Sequence, residues 1–230
     1  MLRRILIGLS GTEHSRAAAE LAVGWAEQYH ASIAGIAIVD IPHLTAPEAV
    51  PLGAGAYKIE RDEVLVRVAG ERASQAMDEL EVRCAAAGVS CHTIKREGDP
   101  EKLLVLEAQR ADLLFLGKTS ISEELAIPDS RVLRQILRHT SRPVVCVAQC
   151  NHSAAVLVAY DGSAQAAKSL QMFQCLGLGD HREIHVLTVS ANPADRYPGQ
   201  CAGRIYAVSQ PSSATALRIV ADLAGGRDSG

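Results

Sequence analysis

Apolar and polar positions along residues 1–149 follow two alternating rhythms. Short apolar runs, "ILIGL" at 5–9, "ASIAGIAIVD" at 31–40, "VSCHTIK" at 89–95, "DLLFLG" at 112–117 and "PVVCVA" at 143–148, predict five strands. Between the first two, "TEHSRAAAELAVGWAEQYH" places Ala18, Leu21, Ala22 and Trp25 on one helical face, with Thr12 as its N-cap. A long helix is predicted from Arg61 to Ala87, stopped by Gly88. A third lies in "GDPEKLLVLEAQR", with Asp99 at the cap and Pro100 at the first position, and a fourth begins near Arg131. Residues 41–60 carry Pro42, Pro47, Pro51, Gly53 and Gly55 and read as a loop without regular structure. Strands that are continuous apolar runs are buried on both faces. The expected fold is therefore α/β, a doubly wound parallel five-stranded sheet of Rossmann-like type. In such sheets ligands lie beyond the carboxyl ends of the strands, where the strand order reverses. Gly11 and Gly117 each follow such an end.

The pattern then begins again. Shifted by 151 residues, "ILIGLSGT" lies over "VLVAYDGS" and "ASIAGIAIVD" over "HREIHVLTVSA", with Leu6 on Leu157, Gly11 on Gly162 and Ile33 on Ile184. Residues 153–230 are expected to form a partial second copy, with two apolar strands, a further strand in "RIYAVS" and a helix in "SSATALRIVADLA". The chain ends before the counterparts of Gly117 and Arg131 would occur.

Composition narrows the function classes. With 230 residues, 48% hydrophobic and 21% charged, the chain can bury a sizeable core. A net charge of -3 gives no electrostatic reason to expect nucleic acid or an acidic membrane as partner. No apolar run reaches the ~18 residues of a membrane span, and "MLRRILIGLSG" breaks into polar residues too soon for a signal-peptide core. A cytoplasmic protein is expected. Six cysteines without a CxxC pair fit reduced thiols. "CVAQCNH" holds Cys146, Cys150 and His152, but Cys146 sits inside an apolar run where its side chain is expected to pack, and no metal site is assigned.

Three segments, "ILIGLSGTEHSRAAAELA", "EGDPEKLLVLEAQRADLLFLG" and "SRVLRQILRHTSRPVVCV", resemble in order and spacing the universal stress proteins. "VLVAYDGS" resumes the resemblance, so the chain is similar to a tandem member whose second domain is cut short, with domains at 1–149 and 153–230. In nucleotide-binding members of that family an Asp after the first strand contacts the adenosine end. A loop of the form G-x-x-G-x(9)-G-S/T holds the phosphates, since glycines admit backbone N–H groups to the anion and the following helix adds its dipole. Here Ser10 occupies the Asp position, followed by Gly11 and Thr12. Within "GKTSISEELAIPDSR", Gly117 matches the first glycine, whereas Ser120 and Ser130 replace the other two and Arg131 replaces the Ser or Thr. With Lys118, Val39 and Val132 these residues make up the degenerate nucleotide site that the resemblance implies, for ATP or another adenine nucleotide.

Two readings of that loop stand side by side. Lys118, Thr119, Ser120, Ser130 and Arg131 offer polar groups to an anion, yet Asp129 or Ser130 could simply cap the last helix, and Glu123, Glu124 and Asp129 oppose a polyphosphate. The second copy keeps Asp161, Gly162 and Ser163 but has no phosphate loop. Arg131, Arg134 and Arg138 fall at helical spacing, as a solvated helix face does. His92 and His139 stand alone, and no catalytic residues are assigned. The expectation is a non-enzymatic stress-response protein acting through dimerisation and an unidentified protein partner, with an adenine-nucleotide-binding or slowly hydrolysing protein as the alternative. The resemblance implies a homodimer formed through the edge strand Pro143–Ala148.

Overall fold

Strand β1 (Arg4–Leu9) forms the middle of a five-stranded parallel sheet whose order is β3-β2-β1-β4-β5. Its companions are β2 (Ser32–Val39), β3 (Cys91–Glu97), β4 (Leu113–Gly117) and β5 (Val144–Val147). The computed structural model describes residues 1–49, 51, 55–118, 130–148, 155–160, 163–178, 183–187 and 205–206. It falls into two units, Met1–Asn151 and His152–Gly230.

Helix α1 (Glu13–Tyr29) packs on β1, β4 and β5, and α3 (Gly55–Ala86) on β2, β3 and β1. Between α1 and the sheet, Trp25 meets Phe115 edge-on with ring centroids 5.3 Å apart. Helix α4 (Pro100–Ala108) packs on β2 and β1 and lies beside α5 (Ser130–His139). They enclose Leu6, Ala34, Ile36, Leu104, Leu114, Leu116 and Ile136. Each fully buried Leu or Ile contributes about 1.5–3 kcal/mol, so the central strands are the most firmly held part of this unit. The doubly wound architecture expected from the apolar runs is the one found.

The caps follow the sequence. Thr12 Oγ1 accepts from Ser15 N at 3.2 Å, and Asp99 Oδ1 accepts from Glu101 N at 3.0 Å. α3 stops two residues before Gly88, whose φ of +66° suits glycine best.

The segment 41–60 departs from expectation. Rather than a loop throughout, it holds the one-turn helix α2 (Ile41–Leu44) and the first residues of α3. Pro42 lies in the first turn of α2, where the missing N–H costs no internal hydrogen bond, and Asp40 caps it by accepting from His43 N at 3.1 Å. Gly55 is only the first residue of α3, so it does not interrupt the helix. β3 is also less apolar than its neighbours: it is an edge strand, with His92, Lys95, Arg96 and Glu97 exposed.

The second unit has β6 (Ala155–Ala159), α6 (Ala164–Cys175), β7 (Glu183–Leu187) and β8 (Ile205–Tyr206), in a parallel sheet of order β6-β7-β8. Ala155, Ala164 and Glu183 begin these elements 151 residues after Arg4, Glu13 and Ser32 begin β1, α1 and β2. The pairing repeats too: Ala155 lies opposite Glu183 as Arg4 lies opposite Ser32. "RIYAVS" supplies β8, while "SSATALRIVADLA", Asp161 and Gly162 lie outside the described residues. Among the described residues no helix is long and apolar enough to cross a membrane.

Candidate functional site

The chain leaves β1 towards β2 and β3 on one side and returns to place β4 and β5 on the other. The order therefore reverses between β1 and β4, and the carboxyl ends of these strands are where sheets of this kind take their ligands. Register brings the candidate residues to that end. Ile7 lies opposite Phe115, two residues short of Leu9 and Gly117, and Leu9 lies opposite Ala37, two residues short of Val39.

The turn after β1 is closed on itself. Ser10 Oγ lies 3.0 Å from Thr12 Oγ1, and Ser10 N donates to Ser15 Oγ at 3.1 Å. Ser15 is buried, and its hydroxyl donates to Gly8 O at 3.3 Å. Gly11 adopts φ +75°. Any Cβ there would fall 2.6 Å from Cγ of Arg72, so α3 lies directly over the turn and only glycine fits beneath it.

Val39 is buried, and its carbonyl accepts from Gly98 N at 3.0 Å. The next residue, Asp40, is half-buried. Burial pushes its carboxyl above the ordinary range, the hydrogen bond from His43 N and the charge of that ring pull it down, and Asp99 pushes it up again. Two carboxyl groups, Asp40 and Asp99, thus lie near each other beyond the ends of β2 and β3, and a polyphosphate bound there would have to overcome them. Lys118 is exposed, and its N–H donates to Val147 O at 2.7 Å, which fixes the exit of β4 beside the end of β5.

Ser10, Gly11, Thr12, Val39, Gly117 and Lys118 are therefore gathered at the ends of three neighbouring strands. Ser130, Arg131 and Val132 form the first turn of α5, described in backbone only, and Ser120 lies outside the described residues. Arg72 and the Asp40–Asp99 pair went unnoticed in the sequence. Asp40 was visible as a polar residue closing an apolar strand ahead of a proline, but nothing in the α3 sequence marks Arg72.

Of the other candidates, His139 Nδ1 lies 2.7 Å from Glu101 Oε1, so α5 and α4 share it as a surface contact. Cys146 is exposed rather than packed, as β5 is an edge strand covered on one side only by its neighbour β4. Cys150 and His152 lie outside the described residues, and among the described residues no three His, Cys, Asp or Glu side chains gather as metal ligands.

The model of the universal stress protein family matches residues 1–148. Among solved structures, a universal stress protein from Archaeoglobus fulgidus DSM 4304 is 19% identical, covering 84% of this chain and 68% of its own, with a TM-score of 0.57. A universal stress protein family member from Burkholderia pseudomallei is 22% identical over 64% of this chain and 96% of its own, with a TM-score of 0.47. A family protein from Arabidopsis thaliana with AMP bound is 15% identical over 63% of this chain and 90% of its own, with a TM-score of 0.42. Among curated proteins no match is found. At these identities the structural likeness is one of fold, which the Archaeoglobus protein carries. The family-model match extends over every element of the first unit, and the chain belongs to the universal stress protein family.

Proposed function

We propose that this chain is a non-enzymatic stress-response protein that works by associating with itself and with a protein partner, and that its nucleotide site is a weakened one. The turn after β1 carries this reading. Where the family pattern has Asp, this chain has Ser10, a neutral hydroxyl already engaged with Thr12 at 3.0 Å. Losing a carboxylate contact and two backbone approaches, each worth about 1–3 kcal/mol, moves a micromolar site towards millimolar. Glu123 and Glu124 in the sequence of the phosphate loop, and Asp40 and Asp99 just after β2 and β3, add negative charge that opposes the same ligand.

The alternative, an adenine-nucleotide binder, is favoured by the placement of Ser10–Thr12 and Gly117 at adjoining strand ends. Calorimetry with Mg-ATP separates the two. Weak or absent binding is expected from the chain as it stands, with a gain of at least tenfold from Ser10→Asp, Ser120→Gly, Ser130→Gly and Arg131→Ser combined, about 1.4 kcal/mol. Low-micromolar binding by the unaltered chain would favour the nucleotide reading.

Self-association is proposed to run through β5. Its outer edge pairs with no strand among the described residues, and it presents Val144, Val145 and Cys146 with only Val147 buried. An unpaired apolar edge is a template for a second strand. Light scattering should give a dimer mass at micromolar concentration, and Val145→Asp should return it to monomer. A monomer from the unaltered chain would count against this. The second unit is proposed to be a partial second copy of the first. The repeated register of β6–β7 supports this, as does an Archaeoglobus match too extensive to lie within Met1–Asn151 alone.

A further inference from the structure

Alternate residues of β3 face α3. Lys95 Nζ donates to Gly70 O at 2.8 Å and to Ser74 Oγ at 3.1 Å, and one step back the Thr93 hydroxyl donates to Glu81. Cys91 is the next residue on that face. The helix runs the opposite way along the strand, so its residues meet those of β3 in the sequence Ser74, Glu81, Cys84 against Lys95, Thr93, Cys91. From Lys95 back to Cys91 the strand advances about 13 Å, close to the roughly 15 Å of helix between Ser74 and Cys84. Cys84 is thus the residue of α3 that comes opposite Cys91, near enough for each thiol to bear on the ionisation of the other.

The turn joining them is held at both ends. Val89 N donates to Cys84 O at 2.9 Å, and Ile33 N donates to Ser90 O at 2.8 Å. Cys84 is fully buried in the last turn of α3, whereas Cys91 is only half-buried at the start of an edge strand.

We propose that Cys84 and Cys91 are a redox-responsive pair that closes into a disulfide, clasping the end of α3 to β3, when the protein meets a small-molecule disulfide oxidant. Cys91 loses its proton to solvent and its sulfur attacks the oxidant, forming a mixed disulfide and expelling one half as a thiolate. Cys84 then loses its proton and attacks the Cys91 sulfur, forming the internal bond and expelling the second half. The two expelled thiolates take up the two protons, so the pair is oxidised by two electrons and the oxidant reduced by two. Burial pushes both thiols up, Cys84 to about 12, and the Glu81 carboxylate adds to the effect. Each is a poor nucleophile alone, and the gain comes from their enforced proximity.

The full chain is exposed to glutathione disulfide, denatured, alkylated and cut with trypsin. Cleavage after Arg83 and Lys95 leaves both cysteines on the peptide 84–95. The expected product is that peptide, unalkylated and two hydrogens lighter than its reduced form, becoming doubly alkylated after a reductant. With Cys91→Ala it should stay alkylated at Cys84. The oxidised chain should melt at a higher temperature than the reduced one, a shift absent from Cys91→Ala. A doubly alkylated peptide, or one carrying glutathione on Cys91, after exposure that has already blocked the exposed Cys175 would overturn the pair. Closure without a rise in melting temperature would overturn its role as a clasp.

Discussion

The two strand–turn–helix segments that begin at Arg4 and Ala155 share element boundaries and strand register, yet differ in what they bury. α1 buries Ser15, Ala18, Ala19, Ala22, Val23 and Ala26, while α6 buries none of its residues. Leu6 is 2% exposed and its counterpart Leu157 is 55% exposed. Apolar periodicity and a capping Thr or Ser suffice to set a strand and a helix in order. Burial is a property of the neighbouring layers. The first segment has β4, β5, α4 and α5 around it, and among the described residues of its own unit the second has only β7 and β8.

The difference should be largest when the units are separated. Residues 1–151 should give a cooperative melting transition by circular dichroism, and residues 152–230 none. A sharp transition from the second fragment would show that its repeat is self-sufficient. Point changes in the whole chain sharpen the contrast. Leu6→Ala should cost about 2–5 kcal/mol in urea denaturation, and Leu157→Ala less than about 0.5 kcal/mol. Equal costs would mean that Leu157 is covered in solution. Smaller again is the effect at the caps. Thr12→Ala should lower stability by about 1 kcal/mol, whereas Ser163→Ala, which removes the equivalent bond to Ala166 N at 3.1 Å, should leave the main transition in place.

The smallest effect concerns Asp40, whose counterpart 151 residues on is Ala191. Because burial raises its carboxyl, the folded chain holds that proton more readily than the unfolded one. The stability this provides is present below the ordinary carboxylate range and is lost as pH rises through the raised value. Asp40→Asn keeps the cap on α2 and removes the ionisation. The urea midpoint of the unaltered chain should fall over that acidic window relative to the variant, and parallel profiles would remove Asp40 from the account.

Most of the first unit was legible because its strands are short apolar runs bounded by Gly, Asp or Pro, as with "DLLFLG" ahead of Gly117. The prolines of residues 41–60 misled because a first-turn proline such as Pro42 and a breaking proline look alike until the cap at Asp40 is seen. The site was half legible. Strand ends located Ser10 and Gly117, since a doubly wound sheet gathers such ends, but Arg72 reaches Gly11 from a helix over sixty residues away. Contacts of that kind follow from packing between layers, which local pattern does not encode.

The sheet of the first unit has two unlike rims. Along β3 it ends in His92, Lys95, Arg96 and Glu97, all exposed, whereas along β5 it ends in three valines and Cys146, none of them charged. Charge on a rim makes a further strand costly to add. In the proposed pairing through β5, the sheet of the first unit is left with only its charged β3 rim, which favours a closed pair over continued addition of strands.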